Sequence, residues 1–305
     1  MLISNPFASP LFLPTLWVVA GLLGGTLLVL VLLVRFRLRQ LGQSVLFRRW
    51  RVWAAIAPIY ALAILGGELP VLVLLTLIVF QGLREYSRLV ALPATYERIL
   101  VGLGLLATPV AMLSLDAFLF LPPVLLMIAT LQPLLLHRET GGVRHLAFSA
   151  LGWGYLAWFL THLMLIYKYV EGGPGILLAI GLATAMSDVG AFVVGKLLGR
   201  HKLAPWLSPN KTWEGTLGNV LGAYLGVSLM SFALPDRLLW LLVFVLPLVL
   251  AVGAVWGDLL ESGIKREFQV KDAGDWLPGF GGLLDRIDSL VIVLPLVFYF
   301  LRLVG

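Results

Sequence analysis

The sequence predicts an all-α, polytopic membrane protein with about ten spans. It is 60% hydrophobic and only 12% charged, whereas a soluble domain carries about 25% charged residues. With a mean hydropathy of +0.98 over 305 residues, too little polar surface remains to cover a water-soluble core. Apolar runs of roughly 17–25 residues, enough to cross a bilayer, recur along the chain. Cysteine is absent, which excludes disulfides, thiolate catalysis and cysteine-based metal sites.

Ten apolar runs can be assigned as spans. Because the N-terminal segment lacks both a positive region and a small-residue cleavage site, we do not expect a cleaved signal peptide. The clear runs are Leu16–Val34, Ala117–Leu136, Leu146–Tyr167, Leu238–Trp256 and Leu290–Leu303. The shorter runs, or those interrupted by Pro or Gly, are Val52–Leu65, Leu69–Phe80, Ile99–Met112, Gly175–Leu198 and Thr216–Leu234.

The distribution of cations predicts the orientation. With the N-terminus outside, all but three of the 22 Lys and Arg residues fall in inner loops, the exceptions being Lys168, Arg237 and Arg302. Cytoplasmic loops carry such an excess of positive residues. We therefore expect a multi-pass protein of the cell inner membrane with its charged loops in the cytoplasm. The net charge of +6 then reflects topology and anionic lipid, not nucleic-acid binding.

A cluster of charged residues lies near the C-terminus. Seven of the 16 carboxylates fall between Asp258 and Asp288. On a helix, the spacing of Asp258, Glu261, Ser262 and Lys265 places all four on one face. We therefore expect a polar helix face on the cytoplasmic side.

A second helix should begin just after Gly281-Gly282, with Asp285 and Asp288 in its first turn. The helix dipole favours carboxylates there. Carboxylates at two helix ends, flanked by Lys265 and Arg266, suit a complex of Mg²⁺ with a polyphosphate, because Mg²⁺ binds carboxylate and phosphate oxygens while cations neutralise the remaining charge.

The segment from Ser187 to Gly215 carries the other polar features. Asp188 lies inside an apolar run, where a charge costs roughly 2.5–3.5 kcal/mol, so we expect it to face protein or water. Gly190–Lys196 resembles a phosphate-binding loop, but Leu197 replaces the required hydroxyl residue and the stretch lies within a membrane run, so we reject that interpretation.

Ser208-Pro209 predicts a helix start, with Ser208 as N-cap and Pro209 at the first helical position. Lys211 would then meet either a substrate phosphate or a lipid headgroup. Glycines at every fourth position predict a close-packed helix face: Gly218, Gly222 and Gly226. The four histidines show no zinc-ligand spacing and are interpreted as non-catalytic: His137, His145, His162 and His201.

The stretch SGIKREFQVKDAGDWLPGFGGLLDRID, from Ser262 to Asp288, resembles the signature of the phosphatidate cytidylyltransferases, also called CDP-diacylglycerol synthases. The segment from Ser187 to Gly215 is similar to a second block of that family. The resemblance covers Ser187 to Asp288, so we expect residues 151–305 to form the catalytic membrane region and residues 1–150 to supply weakly specified spans. One position departs from the signature: Phe280 stands where the family has His, which leaves the lipid acceptor open.

The resemblance implies a transfer from CTP to phosphatidate or a related phospholipid monoester, with Mg²⁺ as cofactor. It leaves open whether a second, monovalent cation takes part and whether the protein is a homodimer. The implied catalytic residues are Asp258, Asp285, Lys265, Arg266 and Lys211. The implied substrate-binding residues are Ser208, Ser262, Lys271, Asp272 and Arg286. The implied metal-binding residues are Asp258 and Asp285, supported by Asp288 and Asp188.

Three other functions were weighed against this one. An ion-coupled transporter built on Asp188 predicts polar residues in both halves of the chain, whereas they concentrate in the C-terminal third. A CDP-alcohol phosphotransferase requires an Asp-Gly motif, and the chain contains no Asp-Gly dipeptide. A catalytically silent paralogue would fit Phe280 but not the retained carboxylates.

Overall fold

The computed structural model describes residues 1–33, 42, 44–131, 141–270, 272–274, 276 and 281–304. Within these ranges the chain is helical almost throughout, with one short antiparallel hairpin. The helices are α1 (Phe12–Leu33), α2 (Val45–Leu65), α3 (Glu68–Leu89), α4 (Ala94–Leu113), α5 (Leu115–Thr130), α6 (Gly142–Tyr169), α7 (Gly173–Leu198), α8 (Trp213–Leu229), α9 (Leu239–Phe244), α10 (Leu246–Glu267) and α11 (Leu284–Val304). The hairpin strands are β1 (Lys202–Ala204) and β2 (Ser208–Thr212).

The structure confirms an all-α polytopic membrane protein. Seven of the described helices are long and apolar enough to cross a bilayer: α1, α3, α4, α6, α7, α10 and α11. The apolar helix α5 is shorter, with 16 residues. Each of the ten predicted apolar runs overlaps a described helix. The count of ten spans and the orientation with the N-terminus outside stay predictions.

Glycines allow α7 and α8 to approach closely, as the spacing on α8 predicts. A Cβ added at Gly218 would overlap the carbonyl oxygen of Gly190, and one at Gly222 would overlap that of Met186. At Gly226 a Cβ would collide with the backbone of Ala183. The repeated glycines therefore form a packing face between two membrane helices. The stretch Gly190–Lys196 lies within α7, in agreement with its rejection as a phosphate-binding loop.

The prediction that Ser208 caps a helix was wrong. Ser208 belongs to β2 and pairs with Ala204 of β1, while Lys202 pairs with Thr212. Helix α8 begins only at Trp213, because the Thr212 side chain accepts a hydrogen bond from the backbone N–H of Gly215 at 3.1 Å and so supplies the N-cap. Each strand of a two-stranded hairpin has a free edge, and such an edge tolerates a proline. The segment that carries Lys211 is therefore a hairpin strand.

Successive helices alternate in direction, so several helix termini lie at the same end of the bundle. Helices α3, α7 and α10 finish where α8 and α11 begin, and the β1–β2 hairpin connects α7 to α8 at the same end. The buried core runs between these helices, and its largest fully buried side chains include Tyr86, Phe118 and Phe298. The charged residues at the end of α10 and the start of α11 therefore lie at one end of a hydrophobic bundle.

Candidate active site

Close packing of α10 on α11 creates the site. A Cβ added at Gly257 would overlap the carbonyl oxygen of Asp288, and one at Gly253 would lie 2.9 Å from Cγ2 of Val293. Only glycine at these positions, one helical turn apart, allows the two backbones to meet. Asp258 follows Gly257 in the chain and is therefore held beside Asp288.

Three carboxylates form a cluster at this crossing. One oxygen atom from each of Asp258, Glu261 and Asp288 lies within 4.8 Å of the others. Two like unit charges at that separation repel by about 3–4 kcal/mol at an effective dielectric constant of about 20. Glu261 is only 1% exposed; its Oε2 contacts Lys265, whereas its Oε1 has neither a hydrogen bond nor an ion pair. A divalent cation would offset the repulsion and supply a partner for Oε1 of Glu261.

Lys265 partly compensates this charge. Its Nζ lies 2.5 Å from Oε2 of Glu261 and 2.8 Å from Oδ1 of Asp285. The pairing with Glu261, four residues earlier, agrees with the predicted helix face. Asp285 lies outside the three-carboxylate cluster, and both of its oxygens are already engaged. Without bound ligands, Asp285 therefore holds Lys265 in place.

Asp285 also binds the backbone of the loop between α10 and α11, residues 268–283 (the signature loop). Its Oδ2 accepts hydrogen bonds from the backbone N–H groups of Ala273 at 3.0 Å and Gly282 at 2.8 Å. Gly281 has a φ of +85°, a conformation that L side chains rarely adopt. A Cβ at Gly281 would also lie 2.7 Å from Oδ2 of Asp285. The Gly-Gly pair therefore lets the loop close onto the carboxylate.

Glu85 of α3 is a site-associated residue that the sequence analysis missed. Its Oε2 accepts a hydrogen bond from the backbone N–H of Leu284, at the start of α11, at 2.8 Å. Its Oε1 accepts one from Nε2 of Gln81 at 2.8 Å. The residue is 3% exposed. An ionisable residue within a membrane helix indicates a functional position by default, and that rule could have identified Glu85.

The hairpin and α7 supply further charges. Lys211 on β2 forms an ion pair with Asp258 through Oδ2. Asp188 is exposed, and its carboxylate lies within electrostatic range of Asp258, Lys211 and Arg286. It therefore faces the polar site, as expected of a charge within an apolar run. The structure thus brings Asp188, Lys211, Asp258, Lys265, Asp285, Arg286 and Asp288 to one place.

Four of the remaining predicted site residues are among those that the structure describes: Arg266, Ser208, Ser262 and Asp272. Arg266 Nε donates a hydrogen bond to the carbonyl oxygen of Leu207, at 3.3 Å, which ties the end of α10 to the hairpin tip. Ser208 and Ser262 are half-buried, and Asp272 is exposed. Lys271 and Phe280 lie outside the described residues, so their roles stay predictions.

The hairpin is anchored by Glu214 at the start of α8. Its carboxylate accepts hydrogen bonds from the backbone N–H groups of Arg200 and His201, and Nδ1 of His201 lies 2.6 Å from Oε1. The contact with His201 and the backbone donors lower the pKa of Glu214 to about 2. Glu214 therefore remains charged at neutral pH and fixes the base of the hairpin that carries Lys211.

The site is recessed from the helix ends. At 1.5 Å per residue, Asp258 lies about 13 Å before the end of α10, and Asp288 lies about 6 Å into α11. The carboxylates outnumber the cations among the described residues that meet here. The carboxylates are Glu85, Asp188, Asp258, Glu261, Asp285 and Asp288, and the cations are Lys211, Lys265 and Arg286.

An apolar groove of about 460 Å³ lies against the other side of α10. Trp256, Leu260, Gly263 and Glu267 line it. At 100° per residue these positions point away from Asp258 and Glu261. The groove is therefore separate from the carboxylate site.

Recessed carboxylates and lysines at one end of a helical membrane bundle are suited to binding a complex of a metal ion with phosphate groups. A family model described as the cytidylyltransferase family matches residues 47–304. The chain belongs to this family and is therefore a nucleotidyltransferase enzyme, as the signature predicted. The match crosses the expected division at residues 150 and 151, which stays a prediction.

The relatives differ in how much of their length matches the chain. The chain is 34% identical over 299 residues to the uncharacterized protein YnbB of Escherichia coli K12, across 93% of this chain and 95% of YnbB. It is 43% identical over 135 residues to the phosphatidate cytidylyltransferase of Staphylococcus haemolyticus, across 43% of this chain and 52% of that protein. The corresponding enzyme of Staphylococcus epidermidis RP62A is 44% identical over 135 residues, again across 52% of its length. The match thus covers about half of each phosphatidate cytidylyltransferase.

Proposed function

We propose that the protein transfers the cytidylyl group of CTP to phosphatidate or a related phospholipid monoester. An oxygen of the lipid phosphate attacks the α-phosphorus of CTP, and the bond from that phosphorus to the bridging β-phosphate oxygen breaks. A new phosphoanhydride forms, which gives a CDP-lipid such as CDP-diacylglycerol, and pyrophosphate leaves. The attacking group is already an anion, so the enzyme mainly has to position two anions and neutralise charge.

The three-carboxylate cluster flanked by lysines carries this proposal. Phosphoryl transfer requires opposite charges around a reacting phosphate. The names of the staphylococcal relatives support phosphatidate as acceptor. Because YnbB, a relative that matches along nearly its whole length, is uncharacterized, the acceptor is proposed as the wider class of phospholipid monoesters.

We propose a divalent cation, Mg²⁺, at Asp258, Glu261 and Asp288. The fit rests on Oε1 of Glu261, which is buried and has no ion-pair partner, and on the exclusively oxygen donor set. When bound, the ion would polarise phosphate oxygens and neutralise charge. Asp285 stays a candidate ligand by family resemblance, although its oxygens contact Lys265 and the loop. Asp188 and any second, monovalent cation also stay candidates.

The cations of the site receive phosphate-binding roles. Lys265 is held between two carboxylates and can bind a phosphate oxygen without a large movement. Lys211 can turn from Asp258 to a triphosphate that enters beside the hairpin. Arg286 is proposed to bind substrate on the exposed side of α11. The other predicted substrate contacts are Ser208, Ser262, Arg266, Lys271 and Asp272.

The site is proposed to face the cytoplasm. The excess of Lys and Arg in the predicted inner loops supports this orientation. CTP would reach the site from water and the lipid from the inner membrane. A homodimer stays a prediction.

The test uses purified protein in detergent with phosphatidate, Mg²⁺ and labelled CTP. We expect labelled lipid and pyrophosphate in equal amounts, and EDTA should stop their formation. Glu267→Gln is the matched control for Asp258→Asn, because Glu267 is on the same helix but faces away from the site. Asp258→Asn should abolish turnover, and the control should keep it.

The outcome also identifies the acceptor. Turnover with another phospholipid monoester but not with phosphatidate would keep the transfer reaction and change the substrate. Absence of both CTP binding and turnover would contradict the proposed reaction.

A further inference from the structure

Tyr155 has a hydroxyl group for which the structure offers no partner. The residue is 2% exposed, and its hydroxyl makes no hydrogen bond. Other tyrosines of the bundle behave differently: Tyr60 and Tyr86 each donate to a backbone carbonyl, at 2.7 and 2.9 Å. Burying a hydroxyl without a partner costs roughly 1–3 kcal/mol. The hydroxyl is therefore free to donate to a group that binds at the site.

The local backbone of Tyr155 is also irregular. Residues Trp153–Trp158 form a π-helical turn that interrupts α6. Single π-helical turns within α-helices are rare and occur frequently at functional sites. The side chains that follow such a turn point in other directions than a regular helix would give them. The turn therefore contributes to where the phenol points.

The phenol lies within electrostatic range of the three-carboxylate cluster. Its electrostatic neighbours include Asp288, Glu261 and Asp258. The packing around Gly82 agrees, because a Cβ added there would lie 3.7 Å from Cδ1 of Ile287 and 3.9 Å from Cδ1 of Leu156. These two residues are the chain neighbours of Asp288 and Tyr155. A site built from α10 and α11 therefore has a third wall, supplied by α6.

We propose that Tyr155 is a positioning residue whose hydroxyl donates a hydrogen bond to an oxygen that a divalent cation holds at the three-carboxylate cluster. That oxygen belongs either to water on the ion or to a substrate phosphate. The inference rests on the proposed metal site. None of the three carboxylates accepts a hydrogen bond from Tyr155, so an intervening oxygen atom fits between them.

The test compares Tyr155→Phe with Tyr60→Phe, since both remove only a hydroxyl. The first readout is binding of Mn²⁺ alone, followed by electron paramagnetic resonance in detergent. If the partner is metal-bound water, the dissociation constant of Mn²⁺ should rise about 10-fold in Tyr155→Phe. If the partner is a phosphate oxygen, Mn²⁺ binding should stay unchanged and KM for CTP or for phosphatidate should rise about 10-fold. Tyr60→Phe should change none of these values.

Thermal unfolding without metal separates this role from a structural one. Tyr155→Phe should unfold at the same or a higher temperature than the wild type, because it removes a buried hydroxyl that has no partner. Tyr60→Phe should unfold at a lower temperature, since it loses a hydrogen bond. A loss of metal-free stability in Tyr155→Phe would overturn the proposal.

The two proposals can fail separately. Wild-type protein that binds no Mn²⁺ would refute the metal site, and the inference about Tyr155 would fall with it. Normal Mn²⁺ binding together with unchanged KM values in Tyr155→Phe would refute only the role of Tyr155.

Discussion

Replacing Glu261 by glutamine should weaken divalent-cation binding and leave the metal-free protein at least as stable. The change removes one of three carboxylates whose oxygens lie within 4.8 Å of one another. At that distance each like-charge pair costs about 3–4 kcal/mol at an effective dielectric constant of about 20. The change also removes the ion pair of Glu261 with Lys265, but Lys265 keeps its contact with Asp285 at 2.8 Å and the two like-charge repulsions of Glu261 disappear with it. We expect the metal dissociation constant to rise about 10–100-fold, or about 1.4–2.8 kcal/mol.

Asp285→Asn is the informative comparison, because the family resemblance places Asp285 among the metal ligands. In the structure its carboxylate instead holds Lys265 and two loop amides. Hydrogen bonds to a charged group contribute about 1.5–3 kcal/mol each. We therefore expect this variant to abolish turnover and to loosen the signature loop. The protein should remain folded in the membrane, and metal affinity should fall less than in Glu261→Gln.

The assay combines Mg²⁺ titration calorimetry with thermal unfolding of both variants in the same detergent. Glu267→Gln again serves as the matched carboxylate control. The reasoning would be refuted if Asp285→Asn lost metal binding with its stability intact while Glu261→Gln bound normally. In that case Asp258 and Asp285 hold the ion, and Lys265 moves away when it binds.

Three further changes test other parts of the site. Lys211→Met should raise KM for CTP about 10–100-fold, which is the loss expected for one charge-assisted hydrogen bond. The ion pair with Asp258 places this cation at the site. An unchanged KM would exclude phosphate binding by Lys211. Gly282→Ala should destabilise the protein by about 1–3 kcal/mol in thermal unfolding, because the added Cβ would lie 2.5 Å from Oε2 of Glu85; a neutral change would mean that the loop does not dock on α3. Phe280→His should not reduce activity on phosphatidate in the lipid-transfer assay, since it restores the signature residue, and a large loss would show that Phe280 is adapted to another acceptor.

Much of the fold could be predicted because burial in a bilayer leaves a strong pattern. Long apolar runs identify membrane helices, and each predicted run overlaps a described helix. Local spacing was also reliable within a helix: Glu261 and Lys265, four residues apart, pair as expected. The prediction that Ser208 starts a helix was wrong. Ser208 pairs with Ala204 in a short hairpin, and this pairing overrode the local capping pattern.

The sequence analysis did not predict contacts between segments that are far apart in the chain. Glu85 reaches Leu284 across 199 residues, and no local pattern records such a pairing. Tyr155 carried no motif, and only the packing of α6 brings it within electrostatic range of the carboxylates. Which side chains meet across the bundle depends on the angle at which two helices cross. That angle depends on how the side chains along both helices pack together.

The sequence by itself determined the membrane class, the family and the set of charged groups from which a site can be built. Hydropathy and the signature both follow the order of residues along the chain, so they can be read without a structure. The tertiary structure decided which of those charges meet. The close approach at Gly257 puts Asp258 and Asp288 together with Glu261, and the loop closure at Gly281 directs Asp285 toward Lys265 instead. The physical reason is that electrostatic interactions depend on distances of a few ångströms, which only packing sets.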